Sequence, residues 1–409
     1  MRRPRRRAAF VRMVCLAGLC LAAAGCSRKA VSGVSPGRGV PGPPPAGSGP
    51  SLQAVLWEKP VSSMELSYAD QFSVDHYQGG YDLITIKEGG RFLVLPEGGD
   101  AETASSLVPE ELPKDITVLR RPLDHIYLAA TSAMDFFSGL DAVDRVTLSG
   151  TDVSGWYLDA PKEALKAGSM VYAGKYNTPD YELILSEGCD LAIESTMIYH
   201  APEVKEQLEK LGIPVLAERS SYESSPLGRM EWIRLYGVLL GKEEEAKALF
   251  DRELQALEPL KEQSPSQKTA AFFYVTSKGY VNVRKPGDYV TRMIQMAGGE
   301  YLPRLAPEEE NALSTMNLQM EAFYSACKDA DVLIYNSTID GELSSVAELL
   351  GKSPLLADFK AVKEGNVWCT GKNLFQETMG LGQMIRELHQ IFTETAPDSS
   401  SMRYIHKLN

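Results

Sequence analysis

Between residues 225 and 263 the apolar positions recur at helical spacing. Ser225 is suited to cap a helix and Pro226 to open one, and Leu227, Met230, Ile233, Tyr236 and Leu240 follow on one face. Gly241 interrupts the run. A second stripe, Ala246, Leu249, Phe250, Leu254 and Leu257, begins after Lys242. Glu243, Glu244 and Glu245 favour its positive end, and Pro265 closes it. The pattern predicts a helix over 242–263, spanning roughly 33 Å, that works as a strut between strand-and-helix patterns on either side.

Elsewhere the period changes. Before the strut, short apolar runs at 116–119, 125–130, 145–148, 190–193 and 214–217 alternate with helical patterns at 132–140, 161–167, 180–186 and 202–211. After it come strand patterns at 269–275, 280–283, 331–335 and 366–369, with helical patterns at 289–296, 318–328, 344–350 and 381–392. Strands alternating with helices predict parallel sheets. Upstream, YDLITI, the turn Glu88-Gly89-Gly90 and RFLVLP form a β-hairpin pattern. The expected fold is α/β: two lobes with parallel central sheets, joined by one long helix and preceded by a β-hairpin segment. The divisions read as a leader (1–25), a tether (26–50), a β-rich extension (51–114), a first lobe (115–241), the connecting helix (242–263), a second lobe (264–395) and a tail (396–409).

A short internal echo relates the lobes. A helix carrying Glu182 leads to DLAIEST (190–196), and a helix carrying Glu321 leads to DVLIYNST (331–338). Parallel strands offer ligand sites at their carboxyl ends, so Ser195, Thr196, Ser337 and Thr338 are expected at a shared cleft.

Composition changes the picture at the amino terminus. The chain of 409 residues, 44% hydrophobic and 23% charged, fits a soluble globular body. Its start does not: Arg2, Arg3, Arg5, Arg6, Arg7 and Arg12 precede an apolar run over 13–24, the layout of a secretion signal. That run ends in Ala23-Ala24-Gly25-Cys26, which resembles a bacterial lipoprotein cleavage box, with Ala23 where leucine is usual. The resemblance implies a lipid on Cys26, holding the protein to the extracytoplasmic face of the cell membrane. The Gly-, Pro- and Ser-rich stretch to residue 50 suits a tether. Removing residues 1–25 removes six arginines and no acid and takes the net charge from −12 to −18, which argues against nucleic acid as a partner. Cys189, Cys327 and Cys369 are odd in number and have no metal-cluster spacing, so they read as small core residues.

No P-loop, G-x-S-x-G, HExxH or CxxC pair is present, and the five histidines show no ligand spacing, so neither a catalytic set nor a metal set is indicated. The loops at predicted strand ends carry aromatics and fixed charges instead: Thr131 and Ser132; Trp156 and Tyr157; Lys175 and Tyr176; Met197, Tyr199 and His200; Arg219 and Tyr222; Tyr274, Lys278 and Arg284; Asn373 and Phe375. Aromatic walls with a few cations suit a bulky, partly anionic, ring-shaped ligand.

Four segments, AATSAMDFFSGLDAVDRV (129–146), PDYELILSEGCDLAI (179–193), ESSPLGRMEWIRLYGVLLGKEEEA (223–246) and MEAFYSACKDADVLIY (320–335), carry a resemblance. From about residue 115 to 392 the chain resembles the substrate-binding lipoproteins of ABC importers, of the helical-backbone class III that takes up ferric siderophores, haem and corrinoids. The resemblance implies two Rossmann-like lobes, a rigid connecting helix and modest closure, with no enzymatic activity and no cofactor. It implies an ABC permease and its ATPase as partners, with Glu182 and Glu321 docking on permease arginines. A ferric siderophore ranks first as ligand and would use Arg219, Arg284, Lys175 and the rings. A corrinoid would use mainly Trp156 and Tyr157, and haem an axial Tyr199, His200 or Met197. The rival readings are a secreted two-lobed enzyme without a linear motif and a surface adhesin.

Overall fold

The computed structural model describes residues 59–98, 113–305 and 315–409; Cys26, the leader 1–25 and the tether 26–50 lie outside them. The upstream hairpin belongs to a larger sheet. β1 (Ser62–Ser63), β2 (Phe72–Tyr77), β3 (Tyr81–Ile86), β4 (Gly90–Leu95) and β5 (Ile116–Arg120) lie in that order. The first four are antiparallel neighbours and β5 runs parallel to β4. The run at 116–119 is therefore not the first lobe's opening strand. Alternation explains its place: Leu119 joins Val74, Ile84, Phe92 and Val94 in the main core, while Ile116 packs with Tyr81, Leu83, Leu93 and Leu95 on the other face.

Two buried acids fasten this sheet. Glu231 accepts the backbone amides of Ser67, Tyr68 and Ala69 at 2.8, 2.8 and 2.7 Å. Glu223 accepts those of Asp70 and Gln71 and the indole N–H of Trp232, at 3.1, 3.0 and 2.9 Å. Carboxylates that each take three N–H donors are satisfied without a cation.

The first lobe holds β6 (Ile126–Leu128), β7 (Leu148–Ser149) and β8 (Val171–Tyr172), a small hairpin of β9 (Gly174–Lys175) and β10 (Thr178–Pro179), then β11 (Leu191–Ser195) and β12 (Val215–Glu218). Its sheet runs β12-β11-β6-β7-β8, all parallel. The run at 145–148 supplies only the start of β7, because a 3-10 turn takes Val143–Arg145.

The second lobe holds β13 (Thr269–Val275), β14 (Val281–Arg284), β15 (Glu300–Leu302), β16 (Thr315–Leu318), β17 (Val332–Tyr335), β18 (Val367–Thr370) and β19 (Ile405–Lys407), ordered β16-β14-β13-β17-β18-β19 with β15 also on β13. It is mixed rather than wholly parallel: β14, β16 and β19 run against their neighbours. The turn between β13 and β14 is too short for a crossover, so those two must form a hairpin. The stretch 396–409, expected as a tail, contributes β19, and Ile405 and Leu408 are buried.

Six helices matter for the site: α1 (Met134–Gly139), α2 (Pro226–Glu231), α3 (Ile233–Leu240), α4 (Glu243–Lys261), α5 (Tyr289–Met296) and α6 (Leu381–Thr393). The helical run from 226 breaks at the fully buried Trp232, and Ser225 holds the cap position without a side-chain bond. Gly241, at φ 67°, adopts the left-handed conformation that lets α4 fold back along α3. Ala246, Phe250 and Leu257 of α4 share one apolar core with Phe92 of the first sheet, Phe136 and Ile193 of the first lobe, and Ala270, Trp368 and Leu388 of the second. The strut is thus embedded in a core that runs through both lobes.

The internal echo extends to backbone detail. Asp190, ahead of β11, accepts the amide of His125 at 3.0 Å, and its own amide donates to the His125 carbonyl at 3.0 Å. Asp331, ahead of β17, makes the same pair with Thr269, at 2.7 and 3.0 Å.

Candidate functional site

Parallel pairing sends the carboxyl ends of β6, β7, β11 and β12 to one end of the first lobe, and those of β13, β17 and β18 to one end of the second. Loops leaving these ends touch across the lobes. Gln376 accepts the amide of Tyr157 at 2.7 Å and donates to the Gly155 carbonyl at 2.8 Å. The Thr378 hydroxyl donates to the Ser132 carbonyl at 3.0 Å, and the Met379 amide to Asp135 at 2.7 Å. Both lobes therefore border one region.

On the first-lobe side, Arg219 follows β12 directly and is only 4% exposed. Its guanidinium carbon lies 4.3 Å from the Tyr222 ring centroid and 6.0 Å from that of Tyr199. Tyr199 stands on the 3-10 turn Thr196–His200 that follows β11, and Tyr222 on the turn Ser220–Tyr222. Both rings are about 39% exposed, as an accessible wall requires. Glu88, from the turn between β3 and β4, faces the arginine with an oxygen 3.2 Å from Nη2. Arg219 Nε is buried with no hydrogen-bond partner among the described residues.

A second arginine bridges to the other lobe. Arg229 of α2 donates to the carbonyls of Glu223 and Ser221, and its guanidinium lies 3.5 Å over the Tyr289 ring of α5. Arg284, at the end of β14, lies 6.0 Å from the same ring and 3.4 Å from Asp288. Arg284, Tyr222 and Arg219 were expected here. Glu88 and Arg229 were missed, since Glu88 lies in the turn of an antiparallel hairpin ahead of the first lobe and Arg229 lies within α2.

Tyr157 of the first lobe and Lys372, Asn373, Glu377, Arg403 and His406 of the second line a cavity of about 530 Å³. The Lys372 ammonium lies 5.6 Å from the Tyr157 ring. Glu377 is buried and holds Arg403 through two contacts, at 2.8 and 3.0 Å. β19 supplies one wall, which the expectation of a tail over 396–409 left out.

The remaining expected residues divide. Trp156 is 1% exposed and its indole donates to Ser149 and the Thr151 carbonyl, so it serves the core and does not face the region. Ser337 is likewise buried, bonded to the Thr370 hydroxyl. Ser195 caps the turn that carries Thr196, Met197 and His200; Thr196 is half-buried, Met197 and His200 exposed. The exposed Thr338 is bonded to Asn336. Thr131 is half-buried beside Ser132. Lys175 is exposed on β9, and Tyr176 packs against the first lobe's outer cluster. Tyr274 packs against the second lobe's outer cluster, Phe375 against the main core, and Lys278 is exposed in the turn after β13. Glu182 and Glu321 are exposed second residues of the helices Tyr181–Ser186 and Met320–Cys327, and neither forms an ion pair among the described residues. Burial pushes the thiols of Cys189 and Cys327 up to about 12 and that of Cys369 to about 11, so all three are inert at neutral pH.

The family described as "Periplasmic binding protein" matches residues 129–374, more than half of the chain. An uncharacterized lipoprotein of Methanocaldococcus jannaschii is 23% identical over 365 residues, covering 85% of this chain and 84% of the relative. Among solved structures, the periplasmic heme-binding protein of Vibrio cholerae aligns at TM-score 0.52 and 18% identity, over 64% of this chain and 96% of that one. The petrobactin-binding protein of Bacillus subtilis aligns at TM-score 0.52 and 13% identity, over 66% and 92%. An Fe3+-hydroxamate transport protein of Saccharomonospora viridis aligns at 0.51 and 18%, over 66% and 94%.

Proposed function

The chain belongs to the periplasmic binding protein family, and we propose that it captures a ferric siderophore or similar iron complex outside the cytoplasm and hands it to the permease of an ABC importer. The observation that carries this reading is the wall of Tyr199, Arg219 and Tyr222 at the ends of β11 and β12, with Arg229 and Arg284 toward the second lobe. Open rings beside fixed cations match a rigid, partly anionic chelate. Haem is the second reading, favoured by Met197, Tyr199 and His200 exposed on one short turn, each a possible axial ligand. The corrinoid reading loses its main ring, because Trp156 is interior.

Lipid attachment at Cys26 belongs to the same proposal and is supported by relatives named as lipoproteins. Titration of the purified protein with a ferric trihydroxamate, haemin and cobalamin tests the whole. The expected result is saturable quenching of Tyr and Trp fluorescence by an iron complex with no product formed. A flat response to all three and to ferric citrate, or turnover of any, refutes it.

A further inference from the structure

The first sheet precedes the family-matched segment, yet its β3–β4 turn reaches the end of β12. Glu88 stands there at φ 55°, and a Cβ on Gly89 would lie 3.6 Å from the Ala217 carbonyl. The Glu88 side chain is 76% exposed and Arg219 only 5%, so the carboxylate lies over the guanidinium on its solvent side. The Tyr222 ring centroid lies 4.3 Å from the Arg219 guanidinium carbon and the Tyr199 hydroxyl 3.5 Å from Nη1, so the guanidinium is held in place beneath Glu88. A ligand carboxylate that took both terminal nitrogens, Nη1 and Nη2, would make a two-bond contact in place of Glu88's single one.

We propose that Glu88 is a built-in counter-ion for this site: it neutralises Arg219 when no ligand is bound and is displaced by a carboxylate arm of the ligand. An otherwise unpaired buried cation is stabilised in this way, and a ligand must outcompete the internal acid, which favours carboxylate-bearing chelates over those without one. The inference rests on the capture reading above and assigns it a substrate class. Such carboxylates come from an iron carboxylate complex or from haem propionates.

The full chain and its E88Q variant are to be titrated with ferric citrate, haemin and ferrioxamine B, the last a ferric trihydroxamate without a free carboxylate. Thermal unfolding is to be followed in parallel in iron-free citrate. E88Q should bind whichever carboxylate-bearing probe the wild type takes roughly two- to five-fold more tightly, in line with the strength of an exposed ion pair. Its affinity for ferrioxamine B, which carries a cationic ammonium in place of a carboxylate, should not increase, and citrate should raise its unfolding temperature more than the wild type's. Ferric citrate and haemin separate the two sources. Binding of ferrioxamine B alone would keep the capture reading and overturn this one, as would carboxylate binding that is unchanged or weakened in E88Q. If no iron probe binds, the capture reading fails, and an equal citrate response in both proteins then overturns the counter-ion as well.

Discussion

Glu194 sits on β11 with no exposed surface, and neither carboxylate oxygen has a hydrogen-bond partner among the described residues. Burial alone pushes its carboxyl up to about 8. The folded protein therefore holds a proton that the unfolded chain releases near the ordinary glutamate value. The associated stability is fully present below that value and is lost as pH rises toward 8. Every tenfold difference in proton affinity between the folded and unfolded chain is worth about 1.4 kcal/mol, so the loss is on the order of a few kcal/mol. Thermal denaturation from pH 5 to 8.5 should show the wild type losing stability with rising pH. E194Q, neutral and of the same shape, should decline less steeply and be the more stable protein at pH 8. Parallel declines in the two proteins would place the titrating group elsewhere. Sequence patterning could not single this residue out, because DLAIES reads as an ordinary strand with a polar position near its end.

At the scale of elements, the strut is the test. Its apolar stripe was legible in full: Ala246, Phe250 and Leu257 are buried and Leu249 and Leu254 partly so, as helical spacing requires. Its closeness to α3 was not. A Cβ on Gly237 would meet the Ala246 Cβ at 2.7 Å and the Lys242 carbonyl at 3.1 Å, so α3 and α4 pack together only because position 237 has no side chain. Helix propensity alone favours G237A by up to about 1 kcal/mol, but overpacking costs typically 1–3 kcal/mol. Chemical denaturation should find the variant destabilised by roughly 1–2 kcal/mol; a gain in stability would show that the two helices can separate freely.

For the whole molecule, one apolar core runs through the first sheet, both lobes and the strut. Glu182 and Glu321 are exposed carboxylates, each in the first turn of the helix that leads to β11 or β17, and we propose that they dock on the permease. A helix amino terminus stabilises such a charge by only about 0.3–1 kcal/mol, so their loss should scarcely affect folding. E182A/E321A is expected to keep ligand affinity in solution and to lose uptake of labelled ligand by cells. Normal uptake by the double variant would discard docking through these residues.

Hydrophobic period determined the longer strands and helices, the two-lobed plan and the echo around Glu182 and Glu321, because which face of an element avoids water is written locally; the short strands β8, β9, β10, β15, β16 and β19 carry too few residues for a period. Only the tertiary structure decided that β5 pairs with β4, that Trp156 turns inward, and that the final residues close the second sheet as β19. It alone brought Glu88 to Arg219, 131 residues away, and the amides of Ser67–Ala69 to Glu231. Periodicity records that a side chain is buried or exposed; its partner across a long loop is fixed by how the packed elements come together.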